Sequence, residues 1–223
     1  MSEPTQPPKH RLPTDTDDGL LVVMSGPSGV GKTTIARAVD RAIPDALFSV
    51  SATTRAQTSA DVEGVDYHFV DEAEFRAMID RDEFLEWAEV FGRLYGTPRA
   101  WVDEQLRRGR VVICDIDVEG ARQIKARMPD ALALFVLPPS EDELLDRLRA
   151  RKRESEGAIQ RRFAEAKREI AAARASGVYE HFLVNEDLEA SITQALALAL
   201  AAEARQRGFD LIAFRVVASA IQC

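Results

Sequence analysis

Cysteine and histidine are scarce in this chain, with two cysteines and three histidines in 223 residues. Cys114 lies inside an apolar run and Cys223 is the last residue, so they suggest neither a disulfide framework nor a CxxC metal site. His10, His68 and His181 fall at no metal-ligand spacing and beside no nucleophile motif, and they read as surface or structural residues. Long apolar runs are missing too. The most apolar stretch, around residues 195–202, is too short to span a bilayer and reads as a helix with Leu188, Ile192, Leu196 and Leu200 on one face. The opening residues are polar and proline-rich, without a secretory signal. A cytoplasmic location and no membrane partner are therefore expected. Excess positive charge is also lacking. A net charge of −8 argues against a general nucleic-acid binder, although it leaves small anionic ligands open, since a phosphate needs only local positive charge.

What remains is the composition of a globular protein, 46% hydrophobic and 30% charged. Residues 1–18 read as a disordered tail. Continuous apolar runs at 20–25, 47–51, 110–117, 131–137 and 182–185 read as buried strands. Helical patterns separate them, from 32 to about 42, about 98 to 108, about 119 to 127, from Ser140 onward, up to about Gly177, and after Asn185. Ser140 with Glu143 has the spacing of a capping box. Strands alternating with helices imply an α/β fold, a parallel sheet covered on both faces. The stretch 51–96 differs, with polar loops, scattered aromatics and a short helix near 72–81, and reads as a mixed inserted subdomain. Residues 208–223 are apolar enough to add a strand but have no evident place.

The chemistry begins at Gly26-Pro27-Ser28-Gly29-Val30-Gly31-Lys32-Thr33, which fits G-x-x-x-x-G-K-[ST] and is followed by Thr34. Glycines let successive backbone N–H groups turn inward on a phosphate, Lys32 supplies an ammonium, and Thr33 offers a hydroxyl to Mg²⁺. A Gly-rich turn could match by chance. Here the loop sits between an apolar strand and an amphipathic helix, where the mechanism requires it. Asp115, at the carboxyl end of its strand, is the expected second partner for Mg²⁺, although many strand-end carboxylates have no such role.

Beyond the phosphate loop, several stretches resemble guanylate kinases: SGPSGVGKTT, SVSATTR (49–55), EGVDYHFV (63–70), FLEWAEVFGRLYGT (84–97), CDIDVEGARQIK (114–125), FVLPPS (135–140) and LVNED (183–187). They keep the family's order and spacing from about residue 20 to 205. The resemblance implies a P-loop NTPase core with three layers (residues 19–207), an inserted GMP-binding subdomain (about 51–97) and a helical lid (about 147–165). It implies ATP and GMP as substrates with Mg²⁺, acting as a monomer or homodimer. Ser51, Arg55, Tyr67 and Tyr95 would hold the GMP phosphate, while Glu86, Thr97 and Asp117 would read the guanine. Asn185 would lie near the adenine of ATP, and Arg151 and Arg162 would close over the transferring phosphoryl group. The chemistry agrees, because guanine presents N1–H and a 2-amino group, both donors suited to carboxylates. Taken singly, Glu86 could be a helix-surface charge and the two tyrosines packing residues. A solvated basic face paired with Glu154, Glu156 and Glu165 accounts for Arg149, Lys152, Arg153, Arg161 and Lys167.

The match departs from the family at one telling place. Thr58 stands where a second phosphate-binding arginine is usual, and Ala60-Asp61 replaces Gly-Glu. Smaller departures are Arg93-Leu94, Ala150, Lys152 and Glu186. Thr58 keeps a kinase with another phosphorylated acceptor in view. A non-catalytic, protein-binding relative is opposed by the intact Lys32, Thr33 and Asp115.

Overall fold

A computed structural model of the chain describes residues 19–90, 92–150 and 155–208. The expected tail, Arg151 and the segment 209–223 lie outside the described residues.

Five strands form a parallel sheet: β1 (Leu21–Ser25), β2 (Leu47–Phe48), β7 (Val112–Asp115), β8 (Leu132–Leu137) and β9 (His181–Val184), in the order β2-β7-β1-β8-β9. Alternation along β1 feeds two different cores, as the period of two in a strand requires. Val22 and Met24 pack with Ile35 and Val39 of α1 (Lys32–Ala42) and with Ala195 and Ala199 of α7 (Leu188–Gln206). Leu21 and Val23 face the other way, toward Val102 of α3 (Arg99–Arg107), Ala121 and Ile124 of α4 (Val118–Arg127), and Ala173 of α6 (Glu156–Ser176). Helices cover both faces, so the core has three layers. The fully buried side chains at its centre include Ile113, Leu134 and Phe135, where truncation to Ala would cost about 2–5 kcal/mol.

The inserted stretch is mixed, as read, and its strands are more regular than its polar loops suggested. It holds a four-stranded sheet in the order β4-β3-β6-β5, formed by β3 (Ala52–Thr53), β4 (His68–Phe69), β5 (Phe84–Val90) and β6 (Arg93–Pro98), beside α2 (Glu72–Asp80). The chain passes from one sheet to the other at Ser49–Ala52: Ser49 N still donates to Ile113 O, whereas Ser51 O already accepts from His68 N. A small core of Ala52, Phe75, Phe84 and Leu94 supports this sheet, with Phe75 stacked on Phe84 at 4.5 Å. β5 escaped the sequence reading because it does not alternate. A bulge between Phe84 and Glu86 buries Phe84, Leu85 and Glu86 in succession.

Local signals set the helix ends. Ser140 Oγ accepts from Glu143 N at 3.1 Å ahead of α5 (Glu141–Ala150), as the capping spacing predicts. Ser155 caps α6, which stops at Gly177 in the left-handed region. Pro98, expected in the first turn of α3, is instead its N-cap and the last residue of β6. In α7 the expected Leu/Ile face is only partly right. The small residues Ser191, Ala195 and Ala199 lie innermost, Ile192, Leu196 and Leu200 flank them, and Leu188 is exposed. Small side chains let α7 approach α1 closely. No helix among the described residues is long and apolar enough to cross a membrane.

Candidate active site

The phosphate loop follows β1, and its last glycine starts α1. Gly31 is the N-cap of α1 with φ 95°, and a Cβ there would strike the Asn185 amide, so the position needs glycine on both counts. β7, beside β1, delivers Asp115 to the same end of the sheet. Asp115 accepts from Lys32 Nζ and, through its other oxygen, from Thr33 Oγ1 at 2.6 Å. The Lys32 side chain is 19% exposed. Burial works against its ammonium, yet the Asp115 carboxylate, with Glu169 and Asp117 farther off, more than offsets this and keeps its pKa above the usual lysine value. Thr33 and Asp115 thus present two adjacent hard oxygen donors, a set that suits Mg²⁺ sharing its remaining positions with water and phosphate oxygens.

Asn185 follows β9 and is 5% exposed. Its Nδ2 donates to Val30 O at 2.7 Å, so the residue expected near the adenine also braces the phosphate loop. Beside it opens a cleft of about 280 Å³, lined among others by Gly29, Gly31, Thr34, Arg147 and Leu188. Arg147, which the sequence reading set only at the start of the lid segment, lines this cleft. It is held by Glu143 one turn away and donates to Asn185 O at 3.0 Å. Arg162, on α6, donates to Ser28 Oγ of the loop, which ties that helix to the phosphate loop. Of the cations assigned to a solvated face, Arg149 pairs with Glu156, whereas Lys167 pairs with Glu141 of α5.

Ser51, Arg55, Tyr67 and Tyr95 lie on or beside the strands of the second sheet. Tyr67 and Tyr95 meet edge to face at 5.7 Å, and the Arg55 guanidinium lies 5.2 Å from the Tyr67 ring centre. Burial, aided by Tyr95 and by the Asp115 charge, raises the Tyr67 pKa, against Arg55 and Lys32. Tyr67 therefore lies within electrostatic range of Lys32 and Asp115. Arg55 is itself paired with Asp61.

Glu86 is neither on a helix nor exposed. It sits on β5, 4% exposed, where it accepts from Thr97 Oγ1 at 2.5 Å. Burial first, and then the Asp117 charge, push its pKa up to about 7, although the Thr97 hydrogen bonds oppose this. Asp117 is the N-cap of α4, with Oδ1 accepting from Gly120 N at 2.8 Å. Glu86 and Thr97, from one predicted stretch, and Asp117, from another, thus lie together. The sequence reading omitted Glu169 on α6, a carboxyl at a pKa of about 7, raised by burial and by Asp117, Glu165 and Asp115 but lowered by Lys32. Its only sequence signal is an acidic residue between the packed Ala166 and Ala173. Cys114 is buried with its thiol pushed up to about 12 by that burial, so it is no nucleophile.

The sequence model of the guanylate kinase family matches residues 19–203. A guanylate kinase of Myxococcus xanthus is 46% identical over 193 residues, covering 86% of this chain and 91% of that one. One from Anaeromyxobacter dehalogenans is 49% identical over 191 residues, covering 85% and 81%. The crystal structure of guanylate kinase from Anaplasma phagocytophilum superposes with a TM-score of 0.69 at 32% identity, covering 83% of this chain and 87% of that one.

Proposed function

The chain belongs to the guanylate kinase family, which transfers a phosphoryl group from ATP to GMP, and we propose how its own residues carry out that transfer. The observation that carries the proposal is one arrangement. Tyr67, packed against Tyr95 and Arg55, lies within electrostatic reach of Lys32 and Asp115 of the Lys32–Asp115–Thr33 cluster, and the buried Glu86–Thr97 pair meets Asp117 at Gly120.

ATP would lay its phosphates in the Gly26–Thr34 loop against inward N–H groups and the Lys32 ammonium, with its base in the cleft beside Arg147 and Asn185. Thr33 and Asp115 would hold Mg²⁺, which when bound supplies neutralising charge at the β- and γ-phosphate oxygens. Ser51, Arg55, Tyr67 and Tyr95 would bind the GMP phosphate. Glu86 and Asp117 would accept from guanine N1–H and the 2-amino group, with Thr97 orienting Glu86. An oxygen of the GMP phosphate forms a bond to the γ-phosphorus as the bond to the bridging oxygen of ADP breaks. The attacking oxygen is already ionised, so no general base is needed. Catalysis is positioning plus charge neutralisation, with Lys32 and Arg162 on the transferring group and the lid excluding water. Arg151 would join Arg162.

AMP offers neither donor to Glu86, which would face an acceptor at N1. Leaving a buried carboxylate unpaired can discriminate by roughly 10⁴. A coupled ADP-release assay with Mg²⁺-ATP against GMP, AMP, CMP and UMP tests this, with Lys32→Ala as control. GMP-selective turnover lost in the control is expected. Turnover without GMP preference would remove the acceptor assignment and leave the kinase.

A further inference from the structure

Glu86 and Asp117 belong to different parts of the molecule. Glu86 rides on β5 in the second sheet, whereas Asp117 caps α4, which packs on the first. Their spacing therefore depends on how α4 docks on β5.

β5 is an edge strand, paired to β6 on one side only. An edge leaves outward peptide groups without a strand partner. At Trp87 a side chain takes that place. Gln123 Oε1 accepts from Trp87 N at 3.1 Å, and Gln123 Nε2 donates to Trp87 O at 2.8 Å, the two bonds a neighbouring strand residue would make. The same helix face supplies two more contacts. Gly120, one turn earlier, lies against Glu86 so closely that a Cβ would collide with the carboxylate. Arg127, one turn later, donates through Nη1 to Phe84 O at 3.2 Å. Positions 120, 123 and 127 form one stripe on a helix, and they meet Phe84, Glu86 and Trp87 of β5. Of the three, only Gln123 fixes the strand along its length, because both its bonds end on one peptide-bearing residue adjoining Glu86.

We propose that Gln123 is a positioning residue for acceptor recognition: its side-chain amide docks β5 on α4 and so holds Glu86 against Asp117 at the spacing that selects guanine. The inference rests on the reading of these two carboxylates given above. Gln123 itself touches no substrate. Trp87 is partly exposed, so water can replace the amide's bonds at small cost to stability. A base-reading carboxylate has no such tolerance, since a displacement of about 1 Å weakens what it binds.

Steady-state kinetics of the full chain with Mg²⁺-ATP, and GMP or AMP as acceptor, test this in Gln123→Ala and Gln123→Met. Methionine keeps the bulk and lacks both hydrogen bonds. Both variants are expected to raise KM for GMP on the order of tenfold and to narrow the GMP-over-AMP ratio of kcat/KM. KM for ATP and the rise in melting temperature on adding ATP should match the parent, which shows that the variants fold. Parent-like KM for GMP and base preference in Gln123→Met would overturn the proposal, as would a loss of kcat alone with both KM values unchanged. A parent enzyme with no GMP preference would remove the guanine reading itself, and this inference with it.

Discussion

Asp61 grips Arg55 with both carboxylate oxygens, Nη1 to Oδ2 at 3.0 Å and Nη2 to Oδ1 at 2.8 Å, and the same Oδ2 accepts the backbone N–H and the hydroxyl of Thr58, each at 2.7 Å. Arg55 and then Thr58 hold the Asp61 carboxyl well below the usual carboxylate range. Thr58 is thus more than a lost arginine. It anchors the carboxylate that sets the guanidinium.

Removing that grip should loosen the acceptor site specifically. Asp61→Ala is expected to raise KM for GMP by roughly tenfold, with KM for ATP unchanged, because Arg55 must then be ordered by the substrate. Thr58→Arg, which adds a second cation, should lower KM for GMP. Initial-rate kinetics at varied GMP decide both, and equal KM values in all three proteins would contradict this account of Asp61.

Glu86 gives a pH prediction whose sign is fixed. Its folded pKa, about 7, lies above the unfolded value of 4.5, so the folded state holds its proton more tightly. Stability from this group is full at low pH and falls as pH rises from about 4.5 through 7, as the buried carboxyl is forced to ionise. Glu86→Gln keeps an acceptor for Thr97 and carries no charge. It should match the parent near pH 5 and be more stable at pH 8, by an amount on the order of 2 kcal/mol, while losing GMP preference. Melting curves at both pH values measure the first effect, and a gap that does not widen with pH would refute it.

Arg147 predicts the converse kinetic pattern. Arg147→Ala removes the guanidinium beside the cleft and its bond to Asn185 O. KM for ATP should rise on the order of tenfold while KM for GMP stays put. A rise in KM for GMP alone would move the donor base elsewhere.

Arg162→Ala should lower kcat far more than either KM. An arginine that neutralises transition-state charge is worth about 10³–10⁵ in rate. Single-turnover measurements separate this from slow product release; an unchanged chemical step would leave the contact with Ser28 as a structural tie only.

The sequence was readable wherever one short stretch carries its own physics. The phosphate loop needs a strand, glycines, a lysine and a helix start within a dozen or so residues, and Leu21–Ala42 supplies them in order. The capping spacing at Ser140 and the apolar run of β8 were legible for the same reason. β5 was not, because its bulge breaks the alternation by which half-buried strands are recognised.

What composition and pattern determined by themselves was the layered α/β core and the phosphate loop; the resemblance added an expectation for which residues face each substrate. Tertiary structure alone decided how those residues are held. Gln123 meets Trp87 across 36 residues, Arg147 meets Asn185 across 38, and Glu169, on another helix, lies within electrostatic range of Lys32. A glutamine or arginine on a helix surface carries no local mark of such a partner. Hydrogen bonding and burial depend on which surfaces the fold brings together, and no periodicity along the chain encodes that.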